Sequence, residues 1–375
     1  MKNLFSNIVS LFFILISYSL NAQFECEVIF AKNEGQIPDA LEYIPDSNTP
    51  IKYIRVNIHF MLRSQGDPDY PGNFTKTGDG FGNTDYTGYD YAEDLINTAN
   101  VRLSSNVQMR MPPGNNTQVL ERKYRYVLNG VFFHEDNNYY YYYQPNPNNV
   151  YGQNMGECIN IFLDNTNGGS RGGSATMTGN RWVKLKGTWE RYFDYIQDPN
   201  IGTGIWAFAG TLNHEIGHNL SLFHTMISPS GNRCIDNKED YCSDTPTRIE
   251  IINEYGFDPC CNKFGMNDDT CTNNLMDYTG EDAVTPQQLG RIHWTIENEI
   301  YRYRSCYYTT QTQNVQSFSE NASYIAKKVV ISTGANVTVD NNNALYINCE
   351  ELEINGEFEI AKGSILIVNT IPDCN

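Results

Sequence analysis

Ile54, Val56, Ile58 and Phe60 alternate with polar neighbours, the period of two that marks a half-buried strand. Residues 67–91 are rich in Gly, Asp and Tyr and read as a long loop, with a helix expected from Tyr91 to about Ser104. Residues 124–133 and 159–163 read as two further strands. Between them the tyrosine run 139–143 predicts a strand hairpin with one exposed face, an aromatic ligand platform being the alternative. Residues 168–175 read as a Gly/Ser loop leading into an edge strand. Ile205, Phe208, Ala209, Leu212, Ile216 and Leu220 then recur at helical spacing and predict a mostly buried helix over 205–220. Residues 225–275 lack long periodic segments. The last long helix should open at Thr285 as N-cap, with Pro286 in the first helical position and Leu289, Ile292, Ile296 and Ile300 on one face. After Cys306 short Val/Ile stretches at 329–331, 337–339, 345–347, 352–354 and 365–367 alternate with Gly and Asn turns. They predict a small all-β module, within which no exact repeat is evident.

This order suggests four segments. Residues 1–22 have the form of a secretory signal peptide: Met1-Lys2, an apolar run from Ile8 to Ile16, then Ser19-Leu20-Asn21-Ala22, with cleavage after Ala22. The apolar core is shorter than the roughly 20 residues of a membrane helix, and no later segment is long enough to span a bilayer. A secreted or extracellular protein is expected, with the periplasm or cell surface as other destinations. Residues 23–50, carrying Pro38, Pro45 and Pro50, read as a leader or pro-segment; residues 51–305 form one large domain and residues 306–375 the β-rich module.

Composition narrows the partners. Among 375 residues, 44 acidic side chains against 26 basic give a formal charge of −18 with no basic patch, which argues against nucleic acid and anionic membranes. A hydrophobic fraction of 40% is that of a globular chain. Ten cysteines accord with disulfides in an exported protein. Nothing in the composition sets an oligomeric state.

The chemistry concentrates in residues 214–224. His214 and His218, four residues apart on a helix, leave the same face one turn apart and can hold one small cation. Glu215 follows the first histidine, where a carboxylate can take a proton from an attacking water and pass it to a leaving amine. His224 would point to the far side of an unbroken helix, so the helix must end near 220–222 for His224 to become the third ligand. Three neutral imidazoles with one open position suit zinc. Three of the six histidines fall within these eleven residues, a clustering that ordinary core or surface usage does not explain.

With these residues in view, the chain resembles the metzincin metallopeptidases, and among them the pappalysin-like family of ulilysin and the cytophagalysins. Their HExxHxxGxxH helix is matched by His214, Glu215, His218 and His224, and Asn274-Leu275-Met276-Asp277-Tyr278 resembles their Met-turn. His224-Thr225-Met226, Cys234, Asp244-Thr245-Pro246, Thr270-Cys271 and Thr285-Pro286-Gln287-Gln288 follow the family's order. The resemblance covers roughly residues 51–305, most strongly from 205 onward.

The resemblance implies an α/β (α+β) metzincin-like domain with a twisted mixed sheet, an active-site helix and an irregular C-terminal subdomain, followed by the small β module. It implies a zinc endopeptidase acting on proteins or peptides, with Glu215 as general base, Met276 beneath the metal and Tyr278 beside the reacting carbonyl. Substrate would lie extended along an edge at Gly172, Gly173, Ser174 and Ala175, and Glu281 and Asp282 would favour a basic side chain on the primed side. Calcium is implied in the oxygen-rich stretch holding Asp236, Asp240 and Asp244. Bridges are expected between Cys234 and Cys271, and between Cys242 and Cys260 or Cys261. Cys26 resembles the pro-segment cysteine with which some relatives cap the zinc, an ordinary disulfide being the alternative. Ser221 departs from the family's glycine and would have to end the helix at positive φ. The competing readings are a non-catalytic zinc-containing adhesin and a carbohydrate-binding protein built on the Tyr-rich loops.

Overall fold

The computed structural model describes residues 25–29, 37, 39–141, 146–165, 172–198, 204–225, 240–257, 272–277, 282–304, 310–318 and 322–370. The expected signal peptide at 1–22 lies outside them.

Six strands build the first sheet: β1 (Glu25–Ile29), β2 (Lys52–Leu62), β3 (Tyr124–Glu135), β4 (Ile159–Asp164), β5 (Gly172–Thr176) and β6 (Trp182–Lys186), in the spatial order β1-β5-β6-β4-β2-β3. Every neighbouring pair is parallel except β5 and β6, which run antiparallel. The sheet is therefore mixed, with its one reversal at the β5–β6 pair. The helices are α1 (Gly88–Ser104), α2 (Asn137–Tyr141), α3 (Asn148–Tyr151), α4 (Thr188–Gln197), α5 (Ile205–Asn219), α6 (Arg248–Tyr255) and α7 (Pro286–Asn298).

The alternation in β2 sends Ile54, Val56, Ile58 and Phe60 into the main core, where they meet residues of α1 and α5 such as Leu95, Leu212 and Ile216. The opposite face of β2 is buried too, so the strand is covered on both sides rather than half-buried. That second face is polar. Asn160 Oδ1 accepts from Asn57 Nδ2, Gln153 N and His59 Nε2, at 3.1, 3.1 and 2.8 Å. With Nε2 of His59 donating, its Nδ1 accepts from Nε2–H of His134 at 2.9 Å, which fixes the neutral tautomers of both rings.

Local capping decides most helix starts. Thr87 and Asp90 close a capping box, so α1 begins at Gly88, three residues before the expected Tyr91. Thr285 caps α7 with Gln288 completing the box and Pro286 at its opening, as the sequence indicates. The tyrosine run departs from expectation: residues 137–141 are helix, not a hairpin strand. A run of identical residues has no readable period, and Asp136 Oδ1, accepting from Asn138 N and Tyr139 N, turns the chain into a helix. Tyr140 is buried, its hydroxyl donating to Gly72 O, so the run is partly structural filling.

Beyond α7, β7 (Thr310–Phe318), β8 (Ala322–Val339), β9 (Ala344–Ile354), β10 (Glu357–Ile360) and β11 (Ile365–Thr370) form a second sheet in which every pairing is parallel. Ala344 pairs with Ile365 and Asn336 with Glu357, each partner 21 positions further along. Ala322 pairs with Leu345, 23 positions on, and Thr310 with Lys328, 18 on, so the coils differ in length and only the alternation of apolar residues repeats. Val329, Ile331, Val337, Val339, Leu345 and Ile347 fill the interior. Ala344 and Tyr346 join the main core, Tyr346 lying 6.2 Å from Tyr89 of α1. Among the described residues no helix is long and apolar enough to cross a membrane.

Candidate active site

Helix α5 packs across β5 and β6 and carries His214, Glu215 and His218, all buried. It stops where His224 requires. Leu222 N donates to Gly217 O at 2.9 Å and Ser221 N to His218 O at 3.0 Å, the paired closure of a Schellman end. Ser221 occupies the left-handed position at φ 66°, where a glycine would be unstrained. Two contacts hold it there: Arg291 Nε donates to its carbonyl at 2.9 Å, and the Thr295 hydroxyl donates to its Oγ at 2.9 Å.

The reversal returns His224 to the helix face. Its Nε2 lies 3.1 Å from Nε2 of both His214 and His218. Two imidazole nitrogens on one tetrahedral cation at about 2.05 Å would stand roughly 3.3 Å apart, so the spacing fits a shared metal. His214 Nδ1 lies 2.7 Å from Leu275 O and His218 Nδ1 2.8 Å from Leu222 O. A carbonyl can only accept, so both Nδ1 atoms carry the proton and both Nε2 lone pairs turn towards His224. Burial presses the same way, lowering His214 to about 4 and His218 well below the ordinary value, which keeps both rings neutral. Among the described residues these three histidines are the one group of three or more His, Cys, Asp or Glu whose ligand atoms converge, all within 4.8 Å.

Two glycines make room for this arrangement. A Cβ on Gly217 would come within 2.6 Å of Met276 Sδ, so the methionine packs directly against the helix between the two histidine turns. A Cβ on Gly173 of β5 would come within 2.2 Å of Glu215 Oε1. Asn274 secures the turn beneath: its Oδ1 accepts from Met276 N at 2.9 Å and its amide pairs with Gln288 of α7. Gly217 and Asn274 were not singled out by sequence reasoning, although both lie inside the quoted motifs.

The remaining expected residues are placed unevenly. Gly172, Gly173, Ser174 and Ala175 do form a strand, β5, and β1 pairs along it, Cys26 opposite Gly173. Asp282 is ion-paired, both its oxygens accepting from Arg102 Nε, at 2.9 and 3.0 Å. Cys242 is a correction: it is a buried free thiol rather than half of a bridge, and burial beside Asp240 pushes its pKa well up. Asp240 accepts from Cys242 N and the Thr245 hydroxyl, and burial raises it to about 7. Asp244 accepts from the Thr285 hydroxyl and Gln287 N at the start of α7. Both carboxylates thus brace the loop. Tyr278, Glu281, Asp236, Cys234, Cys260, Cys261 and Cys271 lie outside the described residues.

Residues 149–297 match the family described as peptidase M43, pregnancy-associated plasma protein-A. This segment is pappalysin-like. It holds the histidine helix, the methionine turn and α7 together. An extracellular metalloprotease of Colletotrichum graminicola is 38% identical over 111 residues, covering 28% of this chain and 37% of that protein, so the match spans well under half of the relative's length. Among solved structures, a promirolysin mutant of Tannerella forsythia aligns with a TM-score of 0.41 at 14% identity, over 71% of this chain and 87% of that one. Mature mirolysin of the same organism, in complex with a cleaved peptide, aligns with a TM-score of 0.38 at 16% identity, over 69% and 95%.

Proposed function

We propose that the chain is a secreted zinc-dependent endopeptidase with His214, His218 and His224 as metal ligands and Glu215 as general base. The observation that carries this reading is the convergence of three Nε2 atoms beside a buried carboxylate, within a pappalysin-like segment. Zinc, when bound, supplies the Lewis acidity that activates water and polarises a carbonyl.

The chain's own residues do the rest. Glu215, in van der Waals contact with β5, accepts the proton of the attacking water and returns it to the departing amine. Its burial against glycine backbone keeps bulk water from competing for that proton. Tyr278 supports the oxyanion. An extended peptide pairs along β5, main chain to main chain, which places its scissile bond beside Glu215. In the full chain β1 takes that ladder over Gly172–Thr176, so the leader is a latency device whose removal opens the edge.

The test is cleavage of a peptide library by the purified chain, with and without chelator, alongside Glu215→Ala. Metal-dependent cleavage lost in the variant is expected; chelator-resistant cleavage or a fully active variant would overturn the reading.

A further inference from the structure

The pair Arg102 and Asp282 lies off the reaction path yet reaches His214 from two directions. Arg102, on α1, is buried, and its guanidinium engages Asp282 through Nε as described and through Nη2, 2.8 Å from Oδ2. The fork-on-carboxylate arrangement fixes direction as well as distance. The same guanidinium donates from Nη1 to Trp206 O at 2.6 Å, in the first turn of α5, and covers the Trp206 ring at 5.0 Å. It also lies flat on the helix at Gly210, one turn before His214: a Cβ there would come within 2.5 Å of Nη1. Glycine inside a helix is unfavourable, and here it lets the arginine reach the helix backbone.

From Asp282 the linkage runs back to the metal ligand. Ala283 follows it and is bonded on both sides to the turn, Ala283 N to Asn273 O at 2.9 Å and Leu275 N to Ala283 O at 2.8 Å. The carbonyl of that same Leu275 accepts from His214 Nδ1. A second buried arginine braces the junction, Arg122 donating to the carbonyls of Arg102 and Asp282. One guanidinium therefore sets both the helix that carries His214 and the carbonyl that orients its ring.

We infer that Arg102, acting through Asp282 and Trp206, is a positioning residue for the His214 metal ligand. The inference rests on the metal-site reading above. It also accounts for Asp282 without a role in selecting substrate, since the carboxylate is already paired.

Zinc affinity, measured by competition with a chromophoric chelator, and the visible spectrum of the cobalt-substituted protein test it in wild type, Arg102→Lys and Asp282→Asn. Lysine keeps the charge but loses the fork, and asparagine keeps the shape but loses the charge, so both are mild enough to fold. Thermal midpoints are taken metal-free and metal-loaded. Expected are an affinity about ten- to a hundredfold weaker in both variants, a shifted cobalt spectrum and a smaller gain in midpoint on loading. Equal loss of both midpoints, with affinity and spectrum unchanged, would mean a purely structural pair and overturn the inference alone. A wild-type chain that binds neither metal would overturn the metal site and the inference with it.

Discussion

Gly173 on β5 lies so close to the Glu215 carboxyl that no side chain can stand between strand and helix. The Glu215 carboxyl is therefore held by contact with backbone. Gly173→Ala should displace that carboxyl while leaving the histidines in place. Turnover is expected to fall about a hundredfold, as a misplacement of about 1 Å costs, with zinc content unchanged. Steady-state kinetics with metal analysis checks this; unaltered kcat would show that the close approach is incidental.

Ser221 combines a strained backbone with a compensating hydroxyl. Ser221→Gly relieves the left-handed strain, about 1 kcal/mol, and gives up the bond from Thr295, also about 1 kcal/mol, so its stability should stay close to wild type. Ser221→Ala keeps the strain, loses the bond, and should be less stable by about 1 kcal/mol. Chemical denaturation of the three proteins separates the cases, and alanine matching glycine would rule out the compensation.

His134 is pushed down to about 4, chiefly by burial, whereas an unfolded histidine titrates near 6.5. Between those values the unfolded chain binds a proton that the folded one refuses, so this group's contribution to stability falls as pH drops from about 6.5 to 4. His134→Gln should flatten the dependence in that window. Urea midpoints at intervals from pH 7 to 4.5 measure it, and parallel curves for both proteins would count against the assignment.

Removing the leader should open β5. A chain starting at Ile37 is expected to cleave an extended peptide faster than the full chain, and a synthetic peptide of residues 25–29 added in trans should slow it. Equal rates with and without the leader would remove β1 from any part in latency.

The legible parts of the molecule were those with local causes. The α5 periodicity, the Thr285 cap and the need for a turn before His224 can each be read within a dozen residues, and each is realised. The tyrosine run was misread because its cap, Asp136, lies outside the run. Short β6 and α4 carry too few turns or alternations to stand out. The pairing of Asp282 is illegible for a different reason: its partner Arg102 is 180 positions away, and no local pattern signals a contact that only tertiary packing creates.

The all-parallel stacking of neighbouring coils after α7 gives the chain a way to change length without redesign. Inserting or deleting one whole coil would move the far end by a single strand spacing, about 4.8 Å, while Tyr346 kept its seat beside Tyr89. Reach beyond the main core would then be adjustable in discrete increments, each coil needing only its immediate neighbours.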